Sequence, residues 1–545
     1  ILAGSLPEGI ELNSSSGLIS GTPTINGQFP FTISVVDSEE PPNTGQKDFS
    51  ITVSGRVQTP DVSFTTTSLK SGTENSPYSA WLGASGGTPP YTFTIASGSL
   101  PQGISLNPAT GKLSGTPTRA GLSQFTAKVV DSGQTQLSDS RDFSITISSS
   151  TPNKPVIKAT ANRMKGVAPL SVFFDATGTT SIATTRPFHH LHYFWDFSDP
   201  GSRRPNGTGA VASHVFYNPG TYKVSLTVTD PTGEASFKEI QVQVDDPDLV
   251  FAGTNTICFS NDNDFTGAPD GARLVTTSSF NTALGYVGHG KRLLFKRGDT
   301  FTSTGTSSVL DCSPCSIGAY GTGVNPDERG IFNNNPLVHS TSDRTIIDLA
   351  NSSAQCQDLR ISDLRFTTST SQWSAVGCSG RTTEILFSRL YFRGFSVPLS
   401  FDHDTIEYYG MQPHDSDTVA DCILENSAVN NFYGGGTRIA FLGNHFKQNQ
   451  SSHLCRITYV KKGVLAGNQF DFPGGTRHCL KLHAQQNRAK YGEFSEMVVI
   501  SGNDFRARTA WPVAIGPQDG LNDERVRHII LERNRIFSYQ GVQVM

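Results

Sequence analysis

The sequence is short of charge and short of helix formers. Asp, Glu, Lys and Arg supply 17% of its 545 residues, and the formal net charge is only −4. That balance leaves no basic footprint, so nucleic acid is excluded as an expected partner. No run approaches the roughly 18 to 20 consecutive apolar residues of a membrane span, and no charged-then-apolar segment at the start marks a signal peptide. The chain opens at Ile1 without an initiator Met. With the shortened first module described below, this suggests a processed or trimmed piece of something longer. Cysteine is missing from the first 250 residues.

Glycine (53) and proline (30) are abundant, and Thr, Ser and Asn crowd the remainder. Such a mixture suits many short strands joined by turns. A chain of this length exceeds one core, so several domains are expected. The eight cysteines, at 258, 312, 315, 356, 378, 422, 455 and 479, permit disulfides without fixing their connectivity. Cys312-Ser-Pro-Cys315 has redox or half-zinc spacing, but no second CxxC or His pair completes a metal site. A local disulfide or two buried thiols is the expectation. Cys422, Cys455 and Cys479 sit in strand-like runs, where cysteine acts as a small hydrophobe.

A repeat opens the chain. Leu6-Pro7-Glu8-Gly9-Ile10 followed by Gly17-Leu18-Ile19-Ser20-Gly21-Thr22-Pro23 returns, 94 residues on, as Leu100-Pro101-Gln102-Gly103-Ile104 and Gly111-Lys112-Leu113-Ser114-Gly115-Thr116-Pro117. Each copy continues into a strand of period two, Phe29 to Asp37 and Phe125 to Asp131. These residues resemble the putative-Ig modules of bacterial surface proteins, over roughly 1–55 and 60–149. The second copy has about 35 residues ahead of its Leu-Pro-x-Gly-Ile and the first has five. The first sandwich is therefore expected to be open-edged, through truncation or awaiting a strand from a neighbouring chain, which would be a route to self-association.

Residues 151–247 differ. Tyr193-Phe194-Trp195-Asp196-Phe197 and Tyr217-Asn218-Pro219-Gly220-Thr221-Tyr222-Lys223-Val224-Ser225-Leu226-Thr227-Val228-Thr229-Asp230 resemble a polycystic-kidney-disease (PKD) domain. The resemblance implies an extracellular β-sandwich spacer, with Trp195, Tyr222, Val224, Leu226 and Val228 as core. The acidic linker Asp245-Asp246-Pro247-Asp248 reads as a solvated hinge or an interdomain calcium site.

Beyond 250 a short motif recurs, a β-run, a turn residue and an inward Phe, Ile or Val, with key positions 363, 389, 426, 444, 468, 503 and 534. Spacings of 18 to 37 residues fit stacked coils with loops of varied length, in which Asn takes a left-handed turn and bonds its neighbours above and below. Arg292 to Phe301 and Ile317 to Gly323 resemble the first rungs of pectin-lyase-like right-handed parallel β-helices. A second strand in each rung puts Leu399/Phe401, Cys455/Ile457, Leu480/Leu482 and Val513/Ile515 inside, and Asp402, Arg456, Lys481 and His483 outside on one face. The fold expected is all-β: tandem immunoglobulin-like sandwiches (1–55, 56–150), a PKD-like sandwich (151–247) and a right-handed parallel β-helix (248–545).

The longest insertion feeds that face. Its Tyr409-Gly410-Met411-Gln412-Pro413-His414-Asp415 resembles a Tyr-Gly-x-Asp-Pro-His-acid segment of mannuronan C5-epimerases, with Gln412 replacing the Asp. The resemblance implies His414 and Tyr409 as a base and acid pair acting at C5 of a uronate, Arg456 or Lys481 neutralising its carboxylate, and Asp402, Gln412, His483 and Asp415 binding substrate. Without the Asp, a binding-only groove is the competing expectation. Glycoside hydrolysis by Asp402 and Asp404 is a further option. Asn261, Asp262, Asn263, Asp264 and Asp270 offer oxygens to calcium, although a polar turn accounts for them equally. No cofactor is required, with calcium the one candidate ion. The function expected is a secreted or bacterial cell-surface protein engaging polysaccharide, as a lyase or epimerase if active. The alternative is a structural or adhesive filament or adhesin subunit without catalysis.

Overall fold

The structure is a computed structural model and describes residues 1–54, 61–150, 154–310, 312–349, 356–370, 372–378, 380–401, 414–475, 477–483, 495–508, 511–516 and 526–538. It is all-β: immunoglobulin-like sandwiches precede a right-handed parallel β-helix. Contacts divide it into two compact units, 1–152 and 153–545.

In the first unit the second module is a closed sandwich. Strands Thr92–Gly98, Gly121–Val130 and Ser138–Ser148 form one sheet, faced by Tyr78–Trp81, Ile104–Leu106 and Lys112–Gly115. Alternation buries Phe125, Ala127 and Val129 against Phe93, Leu113 and Phe143. The first module pairs Gly27–Val36 with Thr44–Val53, and its opposing layer is the hairpin Ile10–Leu12/Ile19–Gly21. Less cover leaves Val35 66% and Phe49 43% exposed, where their counterparts Val129 and Phe143 are 0% and 5%.

The second unit holds the PKD-like sandwich and the β-helix. Strands Gly220–Thr229, Ala235–Asp245 and His192–Asp196 face Leu170–Asp175 and Val211–Phe216. Trp195 is fully buried and its indole N–H donates to the Gly209 carbonyl at 3.0 Å. Val224, Leu226 and Val228 are likewise buried, while Tyr222 is only half-buried.

Each β-helix rung contributes three short strands, which stack into three faces. Face A includes Leu386–Ser388, Asp417–Ala420 and Ser495–Ser501; face B includes Tyr391–Arg393, His445–Asn449 and Asp504–Ala507; face C includes Leu399–Phe401 and Leu480–Leu482. Strands Phe432–Leu442 and Cys455–Ala466 run through the corner from face C into face A. Like residues stack in the lumen: Phe446, Phe470 and Phe505 lie ring on ring with centroids 4.8 Å apart.

The corner from A to B carries an asparagine ladder. Asn444, Asn468, Asn503 and Asn534 each pass their side-chain oxygen to the backbone N–H of the residue one rung below: Asn468 Oδ1 accepts from Asn444 N at 2.9 Å, and Asn503 Oδ1 from Asn468 N at 2.8 Å. Their amide nitrogens donate to lumen-side carbonyls such as Val419 and Phe441. The left-handed turn falls one residue earlier than the sequence motif placed it, on Gly443, Gly467, Gly502 and Arg533 (φ +52° to +67°). Asp363 and Arg389 occupy that turn position too (φ +59° and +52°), so the ladder's partners in their rungs are Leu364 and Leu390, both buried. Asn426 also has positive φ (54°), but lies after its face B strand begins.

Face A is buried on both sides. Its outward Leu386, Ala420, Ala440, Leu442, Val464 and Val499 share one core with the sandwich, whose strand Val211–Phe216 lies across them. All six residues of that strand are consequently buried, one side inside the sandwich and the other on the β-helix. Ion pairs rim the contact: Arg204 to Asp421, Lys462 to Asp175, and Arg163 to Asp358 and Glu384. Arg360, 1% exposed, donates through Nε to the carbonyls of Val167 and Pro169 and through Nη2 to Asp358. The sandwich is thus a flank of the β-helix, which corrects the expectation of a spacer. Asp248, in the linker, pairs with Arg292 at 2.7 Å, and Asp246 caps the short turn Pro247–Val250.

Candidate functional site

Face C presents one outward residue per rung, because each rung pairs over about three residues there before the corner and the outer two point inward. The outward column runs Ser400, Tyr433, Arg456, Lys481, Ala514 through in-register pairing. Leu399, Phe401, Cys455, Ile457, Leu480 and Leu482 fill the lumen, as alternation required, whereas Ile515 is 37% exposed. Arg456 lies 5.4 Å from the centre of the Tyr433 ring, a cation–π distance. Lys481 Nζ reaches the Gly516 carbonyl at 3.5 Å.

A second column flanks the first, at the turns leading into these strands. His453, His478 and Trp511 stack along the helix axis, with centroids 5.1 Å and 6.4 Å apart. Trp511 is 48% exposed. Burial first, and then His478 and the cations Arg456, Arg477 and Lys481, push His453 down to about 3, and burial lowers His478 as well. This face therefore combines aromatic surface with clustered positive charge. The sequence carried the signal, since His453 and His478 each precede their cation by three residues, but only the coil register brings the two columns together.

His483 does not point outward. It is 2% exposed at the corner after Lys481, and its ring turns back to accept from Arg456 Nε at 3.4 Å. Ser495 Oγ donates to its carbonyl, fixing the corner. His414 is also buried, at 1%, in the equivalent corner three rungs from His483, roughly 14 Å along the axis at 4.8 Å per rung, but only one rung from Tyr433. Asp415 turns toward face A and grips Arg438 with both carboxylate oxygens. The structure thus gathers Tyr433, Arg456, Lys481 and His483; His414 lies in the corner of the rung next to Tyr433, with its carbonyl accepting from Thr437 N, and Asp415 is turned away to face A. Asp402, Asp404, Tyr409 and Gln412 lie outside the described residues.

His414 joins a polar cluster that sequence reasoning missed. Thr382 Oγ1 lies 2.7 Å from His414 Nδ1 and 2.5 Å from Asp417 Oδ2, and Ile385 N donates to Asp417 Oδ1 at 2.8 Å. Thr382, His414 and Asp417 are all at or below 2% exposure. Burial raises Asp417 to about 7, against the lowering effect of the Thr382 and Ile385 bonds, with Asp415 and Glu384 adding repulsion. Thr382 N also donates to His414 Nδ1 at 3.3 Å, so that ring nitrogen is an acceptor; one hydroxyl proton cannot serve both neighbours of Thr382, and a proton on Asp417 completes the chain.

Between the sandwich and face A lies a cavity of about 270 Å³, lined by Phe194, Phe197, Arg204, Leu442, Val464 and Arg533 among others. Among the described residues no group of three or more His, Cys, Asp or Glu is placed to hold a metal; Asp264, one of the candidate calcium ligands, is bound to Lys296. Among the described residues no helix is long and apolar enough to cross a membrane.

Comparison with known proteins bears on the sandwiches. The model of the family described as Putative Ig domain matches residues 2–54 and 60–148, and that of the PKD domain matches 152–244. No curated protein matches the chain. Similar solved structures include the protocadherin GammaB4 extracellular domain (17% identity, 45% of each chain, TM-score 0.20) and mouse cadherin-23 EC22–24 (14%, 45% of this chain and 84% of that, 0.17). The amphioxus IgVJ-C2 molecule is another (10%, 32% and 99%, 0.21). The chain spans less than half of the protocadherin GammaB4 structure and about two thirds or less of the next two protocadherins.

Proposed function

We propose that this is a secreted or cell-surface protein whose β-helix engages an acidic extracellular polysaccharide along face C. The observation that carries the reading is the Tyr433–Arg456–Lys481 column beside the His453–His478–Trp511 stack. Successive rungs repeat at about 4.8 Å, a step similar to the length of one sugar residue, so a polymer lying along the axis sets successive sugars opposite Tyr433, Arg456 and Lys481. Pyranose faces stack on aromatic rings, and uronate carboxylates pair with Arg and Lys. The Ig-like and PKD modules, common companions of extracellular domains, support the location.

The test is binding of the full chain to a panel of acidic polymers (alginate, polygalacturonate) and neutral ones. Binding confined to the acidic members supports the reading; retention by none of them refutes it. Uronate elimination or epimerisation is a separate proposal that relies on His414 and Tyr409. An absorbance rise near 235 nm that His414→Ala abolishes would establish elimination, and proton exchange at C5 would report epimerisation.

A second reading, an adhesive or structural surface protein without catalysis, is favoured by the exposed Val35 and Phe49 of the first module. Sedimentation of wild type against Phe49→Ser tests it: concentration-dependent association lost in the variant is the supporting result.

A further inference from the structure

Three of the eight cysteines meet in the lumen near the N-terminal end of the β-helix. Cys312 Sγ lies 3.4 Å from Cys356 Sγ, and Cys315 Sγ donates to the Gly288 carbonyl at 3.0 Å. All three are at or below 1% exposure, packed in the main core. Cys315 pairs in register with Leu359 on the next rung. Cys312 and Cys356 each lie three residues before that pair, and Gln357 N donates to the Cys312 carbonyl. They therefore occupy equivalent positions on neighbouring rungs. In-register neighbours have Cα atoms about 4.8 Å apart, within the range of about 4.4–6.8 Å that a disulfide spans.

We propose that Cys312 and Cys356 form a cross-rung disulfide, leaving Cys315 a thiol. The sequence had offered Cys315 as the local partner of Cys312. Cys315 also contacts Cys312, but it donates to the Gly288 carbonyl, whereas Cys356 holds its sulfur 3.4 Å from Cys312 Sγ at the equivalent position of the next rung, and this geometry favours Cys356. The inference does not depend on the glycan reading.

The bond forms by exchange with a disulfide oxidant, such as oxidised glutathione or an oxidoreductase disulfide. The thiolate of one cysteine attacks the oxidant, releasing one thiol and forming a mixed disulfide. The thiolate of the other then displaces the second thiol. Two electrons pass to the oxidant, and the two protons lost by the cysteines end on its sulfurs. Contact with Cys312 first, and then burial, push the Cys315 thiol well above the ordinary cysteine range, and for Cys312 the lowering contact with Cys315 is outweighed by contact with Cys356 and burial, so exchange belongs to the folding chain, before the coils close. Once formed, the bond is shielded by the same core.

Peptide mapping of the full chain, refolded in a glutathione redox buffer, tests this. Thiols are alkylated in denaturant and the protein is digested with trypsin without reduction. Residues 298–329 carry Cys312 and Cys315, and residues 345–360 carry Cys356. The expected product is those two peptides cross-linked, with fragmentation placing the alkyl group on Cys315 and six alkylated cysteines in the whole chain. The same bond should resist dithiothreitol in the native protein and yield to it in guanidinium. Eight alkylated thiols, or a Cys312–Cys315 link within one peptide, would overturn the proposal. Cys315→Ser serves as a second check: the cross-link must persist in it, and its loss there would also count against the assignment.

Discussion

The Arg204 guanidinium sits 2.9 Å from both carboxylate oxygens of Asp421, a residue at the turn between faces A and B of the β-helix. Tyr217 donates its hydroxyl to the same carboxylate at 2.8 Å, and Arg203 stands 3.3 Å away. Asp421 is 4% exposed. A carboxylate buried this far depends on its partners, so this one site ties the sandwich to the β-helix.

Arg204→Ala leaves Asp421 buried with only part of its compensation. We expect a loss of about 2–4 kcal/mol from the docked state. Hydrogen exchange should rise in Val211–Phe216 and along the outward residues of face A, while the Phe ladder stays protected. Unchanged exchange across that contact would contradict the role given to Asp421.

Gly443→Ala attacks the same contact from the other side. Gly443 has φ +67°, and an added Cβ would fall 2.7 Å from Asp421 Oδ1 and closer still to the Arg204 guanidinium. Left-handed strain of about 1–2 kcal/mol adds to the displaced ion pair. The variant should melt lower than Gly475→Ala, also left-handed (φ +58°) but with open space around it. Equal midpoints would refute the steric part.

Asn468→Ala removes an acceptor that serves Asn444 N and Asn444 Nδ2 and a donor to Phe441 O. Those buried groups have no water to turn to, so a cost of about 2–4 kcal/mol is expected, read by chemical denaturation. Asn426→Ala, outside the ladder, should cost less, since it adds only left-handed strain at φ +54°.

Asp417 gives the fold a pH dependence. Its folded value, near 7, lies above the 3.8 of an unperturbed aspartate. The folded state thus holds the proton more tightly than the unfolded one. Its contribution is complete below about pH 4 and is lost as pH rises through 7, by as much as about 4 kcal/mol. Asp417→Asn should flatten the fall in stability between pH 4 and 7. A variant whose pH profile matches the wild type would show that Asp417 is ionised in the fold.

The alternation on face C was legible from sequence because strands of three residues leave no choice of side. The asparagine motif was legible in kind but one residue out of register: the sequence shows Gly443-Asn444 together without showing which of them makes the turn. His483 was read as outward because it continues the alternation past Leu482, whereas the chain bends into its corner there. The docking of the sandwich was missed, though its signal is visible in hindsight. Ile439 to Leu442 and Val498 to Ile500 are apolar without alternation, the mark of a strand buried on both faces. Nothing in the local pattern says what covers the second face. The Thr382–His414–Asp417 cluster was illegible because Thr382 and Asp417 come from different rungs.

The central claim is that face C reads acidic polymer through Arg456 and Lys481. Calorimetric titration of the full chain with a polyuronate oligosaccharide, wild type beside Arg456→Ala/Lys481→Ala, tests it most directly. The account predicts at least about a tenfold weaker affinity in the double variant, a wild-type affinity that falls with added salt, and no response to a neutral oligosaccharide of equal length. Equal affinity in both proteins, or equal binding of the neutral oligosaccharide, would contradict it.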